Sequence, residues 1–207
     1  MISKFLSLET EKRERMLNAA MKEFAEKGFA HASTNEIVKE ANISKGLLFH
    51  YFRNKKDLFL FLYDYVLELL MNELVEKMDV TEKDLVNRLR QWAQLKMDLI
   101  KKHPDMFQFI LAAQREEAPE VKHELERKNK DIIAKGYAVL FEDIDTSRFK
   151  EGIDIQRAIQ MMIWTLEGFS AQEQQKVKSL SLRPDYYDEV LAETEKYLDL
   201  FTTCFYR

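Results

Sequence analysis

Little in this chain breaks a helix. Its 207 residues include five glycines and three prolines, so turns are scarce and long helices are expected. A single cysteine, Cys204, excludes an internal disulfide. The four histidines, His31, His50, His103 and His123, are scattered, with no two at ligand spacing on one helix. Neither a metal site nor a cofactor is therefore expected. No apolar run approaches the roughly 18–20 residues that cross a bilayer. The first eight residues are too short and mixed for a secretion signal, and a cytoplasmic protein without membrane association is expected. Nucleophile elbows, phosphate-cradling glycine loops and dinucleotide fingerprints are missing as well. Paired acids such as Glu116-Glu117 and Asp143-Asp145 read as solvated surface. The chain is not expected to be an enzyme.

What is present is globular composition, 46% hydrophobic and 33% charged, enough for one large or two modest domains with real cores. The net charge of −4 is unevenly spread. Residues 1–56 hold 11 Lys and Arg against 7 Asp and Glu, a balance of +4, and residues 57–207 carry −8. A basic front on an acidic body suits contact with a polyanion.

Apolar residues recur at three- and four-residue spacing throughout, and no stretch alternates at period two. Leu17, Met21 and Phe24 stripe a first helix that ends at Gly28. Ser33-Thr34-Asn35-Glu36 has the form of a capping box for a second helix carrying Ile37, Val38 and Ala41. Asn42-Ile43 forms a turn, and Ser44 caps a third helix reaching about Tyr51. Further starts are expected at Asn54 with Asp57, at Thr81 with Asp84, and at Pro104 and Pro119 in first turns. A loop over 143–152 and helices over 153–175 and 185–205 complete the chain, with Pro184 near the last start. The expected fold is all-α: a three-helix helix-turn-helix head, residues 1–54, on a six-helix body, residues 55–207.

In the head, Ile37, Val38, Ala41, Ile43, Leu48, Phe49 and Phe52 form a compact apolar set. They leave Lys45, Gly46, Leu47 and His50 on an opposite, solvent-facing surface. Glycine in a helix's first turn costs up to ~1 kcal/mol relative to alanine. Close backbone approach to another molecule is a reason to accept that cost.

The run Ile43-Ser44-Lys45-Gly46-Leu47-Leu48-Phe49-His50-Tyr51-Phe52-Arg53-Asn54-Lys55-Lys56-Asp57-Leu58 resembles the tetracycline-repressor (TetR) family. Gly28-Phe29 and Thr34-Asn35-Glu36-Ile37-Val38 fit the same pattern, so the resemblance covers about the first 60 residues. It implies a ligand-responsive transcription regulator, a repressor that binds a palindromic DNA operator as a homodimer. By position it implies that Thr34 and Ser44 stand at the DNA-facing helix starts. Lys45, Gly46 and Leu47 would face bases, His50 phosphate or base, and Tyr51 and Lys55 the backbone. Leu47 replaces the Thr or Ser frequent in the family and offers only apolar contact to a thymine methyl.

The body would supply the dimer interface and an effector site. Ile159, Met162, Ile163 and Leu166 stripe one closing helix, and Val190, Leu191, Leu198 and Phe201 the other. Met161, Trp164 and Gly168 lie off the first stripe, making that helix apolar on two faces, as a core plus a two-fold interface requires. A purely intrachain core is the competing reading. Trp92, Met106, Phe109, Tyr137, Phe141 and Trp164 could line a pocket for a small hydrophobic or amphipathic effector, or could simply be core. Other functional readings are a helical protein-protein interaction module and a lipid-binding protein without DNA readout.

Overall fold

The computed structural model describes residues 5–177 and 185–207. Within these, nine α-helices follow in order: α1 (Thr10–His31), α2 (Thr34–Glu40), α3 (Lys45–Tyr51), α4 (Lys55–Lys77), α5 (Leu85–Lys102), α6 (Pro104–Gln114), α7 (Pro119–Phe141), α8 (Ile155–Val177) and α9 (Tyr186–Phe205). No strand forms among the described residues; Phe149 and Tyr206 make one isolated antiparallel bridge. The all-α expectation therefore holds. Pro184 lies outside the described residues.

Two compact units form. One comprises the chain up to Glu73 with Lys102–Lys135, the other Leu74–Lys101 with Gly136–Arg207. These packing units differ from the functional division expected at 54/55, because α6 and much of α4 and α7 pack with the three head helices.

The first unit is held by an aromatic core. Phe24 meets Phe59 edge-on at 4.8 Å, Phe59 meets Phe109 at 5.7 Å, and Phe5 meets Phe52 at 5.1 Å. Edge-to-face pairs of this kind add to area burial. Gly28 interrupts α1 with a φ of 68°, the region glycine enters without penalty. The break turns the Phe29 N–H toward the Glu116 carboxylate, which accepts it at 2.6 Å. A Cβ on Gly28 would stand 3.0 Å from that same oxygen. The other carboxylate oxygen accepts the Ala118 N–H at 2.9 Å, tying the turn before α7 to the end of α1.

The second unit centres on Leu85, Val86, Leu140, Met162, Leu198 and Phe201. Arg88, 2% exposed, is spent on carbonyls. It donates to Val80 and Glu82 in the loop before α5, and to Val139, Leu140 and Glu142 at the end of α7. The helix start expected at Thr81 falls four residues later. Asp84 caps α5 by accepting from the Asn87 N–H at 2.9 Å, whereas Thr81 bonds to Asp79.

Candidate nucleic-acid interface

The head is built from α1 to α3. Met16, Leu17, Ala20, Met21 and Phe24 of α1, Ile37 of α2 and Leu48 of α3 are all buried, Ile37 and Leu48 to 1% exposure or less. Between α2 and α3 the chain turns through Asn42 with a φ of 51°, a conformation asparagine tolerates better than most residues. The Ile43 N–H then donates to the Val38 carbonyl at 3.0 Å. Ser44 Oγ accepts from the Leu47 N–H at 3.2 Å, the expected cap of α3. Asn54 Oδ1 likewise accepts from Asp57 at 2.8 Å and starts α4.

The capping box at Ser33 does not form: its side chain makes no cap bond. Glu23, on α1 and 8% exposed, replaces Glu36 and accepts the Ser33 N–H at 2.8 Å and the Lys27 ammonium at 3.0 Å. Burial alone would raise its pKa, but the Ser33 amide and Lys27 outweigh it and hold the carboxyl below its ordinary range. Charge-assisted bonds of this type are among the stronger ones, so Glu23 fixes where α2 begins and hence where Thr34 sits.

With Leu48 anchored inward, α3 presents Lys45, Gly46 and His50 to solvent, with Leu47 and Thr34 half-buried. Nothing lies within 4 Å of a Cβ built on Gly46, so the chain's own packing does not demand glycine there. Phe49 departs from the sequence reading. Placed in the core by its type, it is 37% exposed, one residue too far round α3 to share Leu48's burial, and the Lys45 ammonium sits 6.0 Å from its ring centre. Tyr51 is half-buried, its ring 5.6 Å from Phe5 and 5.0 Å from His50. Lys55 is engaged within the head. Its ammonium donates to the carbonyls of Ala30 and Ala32, each at 3.1 Å, and lies 4.8 Å above Phe29. An ammonium has three donors, so one proton is left for an outside acceptor.

The residues expected to line an effector site divide. Phe109 is 0% exposed inside the first core and Met106 packs against it. Trp92, Tyr137 and Phe141 pack against the second core, with the Tyr137 hydroxyl donating to Glu167. Trp164 is 65% exposed and lies on the surface of α8. The residues expected at a dimer interface divide as well. Met162, Leu198 and Phe201 are 1%, 0% and 5% exposed and belong to their own chain's core, with Ile159 and Leu166 packed against it. Ile163, Val190 and Leu191 are half-buried. The free apolar side chains are instead Met161 and Trp164 on α8 and Leu200 on α9. Among the described residues no group of three or more His, Cys, Asp or Glu could hold a metal ion. No described helix is long and apolar enough to cross a membrane.

Comparison with known proteins places this geometry. Residues 16–62 match the family model "Bacterial regulatory proteins, tetR family". The chain is 28% identical over 164 residues to the fatty acid metabolism regulator protein of Bacillus subtilis, covering 74% of this chain and 78% of that protein. Among solved structures it resembles the fatty acid degradation regulator FadR from Bacillus halodurans, at a TM-score of 0.67 and 18% identity over 91% of this chain and 96% of that one. It also resembles FadR from Bacillus subtilis in complex with stearoyl-CoA, at a TM-score of 0.62 and 19% identity, again over 91% and 96%.

Proposed function

We propose that this chain, whose residues 16–62 match the tetR family of bacterial regulatory proteins and which is 28% identical to a Bacillus subtilis regulator over 164 residues, is a DNA-binding transcription regulator: a cytoplasmic repressor acting as a dimer on a palindromic operator, released by an amphipathic acyl effector. The observation that carries the DNA reading is the face of α3: Leu48 is locked inward while Lys45, Gly46 and His50 stand free around an unfilled space at Gly46. That space admits a base edge or phosphate to the backbone, and Lys45 supplies charge beside it. Phe49, exposed on the same helix, adds an apolar surface suited to a thymine methyl. Thr34, Ser44, Tyr51 and Lys55 complete the contact set, with Lys55 also closing the end of α1.

One recognition helix reads only a few base pairs, and two heads on one duplex supply the rest. The exposed apolar face of Met161, Trp164 and Leu200 is the proposed dimer contact, in place of the stripe residues that serve the internal core. Similarity to a fatty acid metabolism regulator over 74% of the chain, and the stearoyl-CoA in a structural relative, favour a long acyl chain as effector. Within the second unit, Trp92, Tyr137 and Phe141 are the candidates to meet it. The effector weakens DNA binding only by favouring the conformation that DNA does not.

Fluorescence anisotropy on a labelled duplex from the DNA beside the protein's own gene tests this reading. Tight binding that weakens on adding stearoyl-CoA is the expected outcome. Unchanged affinity at stearoyl-CoA concentrations shown by calorimetry to saturate the protein would overturn the effector assignment.

A further inference from the structure

The α2–α3 pair hangs on two stretches of chain, residues 29–33 entering it and residues 52–54 leaving it. Side chains from elsewhere in the first unit hold both. On the way in, Lys55 donates to the carbonyls of Ala30 and Ala32, Glu23 accepts the Ser33 N–H, and Glu116 accepts the Phe29 N–H. On the way out, the ammonium of Lys56, in the first turn of α4, meets the Glu124 carboxylate of α7 at 2.7 Å. Glu23 and Lys55 belong to the helices that flank the pair. Glu116 comes from the turn between α6 and α7.

Of the two adjacent acids in that turn, Glu117 is exposed and pairs with Lys122. Glu116 is half-buried and places both oxygens on backbone amides, one on Phe29 at 2.6 Å and the other on Ala118 at 2.9 Å. In an uninterrupted helix the Phe29 N–H would bond to the Ala25 carbonyl. Gly28, at a φ of 68° and a ψ of 175°, breaks that ladder. It leaves the amide of a residue only 6% exposed in need of an acceptor. The chain thus exchanges a bond inside α1 for one to a different element. α1 gains no stability of its own from the exchange, since glycine is the poorest helix former after proline. It gains a fixed reference instead. The Ala118 bond holds the carboxylate within its own turn, and the Phe29 bond carries that position to the segment running into Thr34.

We propose that Glu116 is a positioning residue for DNA recognition, holding the entry to α2 at the angle that lets Thr34 and α3 meet a duplex together. The assignment rests on the DNA reading above. Specific binding needs phosphate and base contacts in one register, so it is sensitive to that angle. Non-specific binding draws on charge alone and tolerates a loosely held head. Glu116 therefore governs the ratio between the two and touches no DNA itself.

The test pairs Glu116→Asp, which keeps the charge and shortens the reach to Phe29, with Glu116→Gln, which removes the charge and keeps an acceptor at full length. Fluorescence anisotropy compares a duplex from the DNA beside the protein's own gene with a shuffled duplex of equal length and composition. Both are measured well below each variant's melting transition, so unfolded protein contributes to neither affinity. The wild type should prefer the first duplex by roughly a thousandfold or more. Glu116→Asp should lose about tenfold of that preference, as expected for one hydrogen bond to a charged group, with its affinity for the shuffled duplex within about twofold of wild type. Glu116→Gln should keep the preference to within about threefold. A merely structural role lowers both affinities together or neither, and either result in Glu116→Asp overturns the assignment. A loss in Glu116→Gln as large as that in Glu116→Asp overturns it too, because charge and not reach is then at work. A wild type that binds the two duplexes alike overturns the operator reading, and this inference with it.

Discussion

Replacing Glu23 by glutamine isolates the contribution of one charge to the geometry of the head. Glu23 is 8% exposed, and it accepts the Ser33 N–H at 2.8 Å and the Lys27 ammonium at 3.0 Å. Glutamine keeps an acceptor for the amide and loses the charge. Hydrogen bonds to charged groups contribute about 1.5–3 kcal/mol, and Lys27 is 44% exposed, so solvent screens its share. The net loss at pH 7 should be about 1–2 kcal/mol, most of it from the Ser33 amide. The pH dependence has a fixed sign. A carboxyl whose folded pKa lies below its unfolded value binds fewer protons when folded, so its stabilisation is complete above the unfolded value of about 4.3. It disappears as pH falls through the folded pKa. Urea denaturation followed by circular dichroism at pH 7 and pH 3 checks both magnitude and sign. Glu23→Gln should unfold at lower urea at pH 7, and the gap between the two midpoints should narrow at pH 3. Equal separation at both pH values would refute the assignment of the charge to the Ser33 amide.

Other consequences follow from the same geometry. Gly28→Ala places a side chain at a φ of 68° and 3.0 Å from a Glu116 carboxylate oxygen; a loss of about 1–3 kcal/mol in urea denaturation is expected. Gly46→Ala meets open space, so it should stabilise the head by up to about 1 kcal/mol yet weaken operator binding, a divergence that melting and anisotropy measurements on one sample would reveal. Trp164→Arg changes a side chain that is 65% exposed. Its melting temperature should stay near that of the wild type while sedimentation shows a shift to monomer.

What the sequence makes legible here is local chemistry. Ser44 and Asn54 cap helices by accepting from the amide three residues ahead, a geometry set by spacing alone, and both are evident from residue type. Ser33 has the same signature, yet its side chain makes no cap bond, and Glu23, ten residues earlier on another helix, takes the Ser33 amide that Glu36 was expected to reach. Helical periodicity identifies stripes and does not rank them. On α8 it selects Met162 as readily for an interface as for a core, and only packing shows that Met162 is inside while Met161 and Trp164 are outside. Phe49 misleads for a related reason: its type says core, but its position on a seven-residue helix points it away from Leu48. The motif of residues 43–58, by contrast, combines caps, turn and exposed face in one contiguous run, and the resemblance to the tetR family is legible from it directly.

The central claim is that α3 carries an electrostatic and base-reading surface for duplex DNA. Its most direct test is the affinity of the wild-type protein for the DNA beside its own gene, measured across 50–300 mM salt. If phosphates are neutralised by Lys45, Lys55 and their neighbours in both protomers, the logarithm of affinity should fall steeply and linearly with the logarithm of salt concentration. Lys45→Ala should flatten that slope. An affinity indifferent to salt, or a slope identical in Lys45→Ala, would contradict the account.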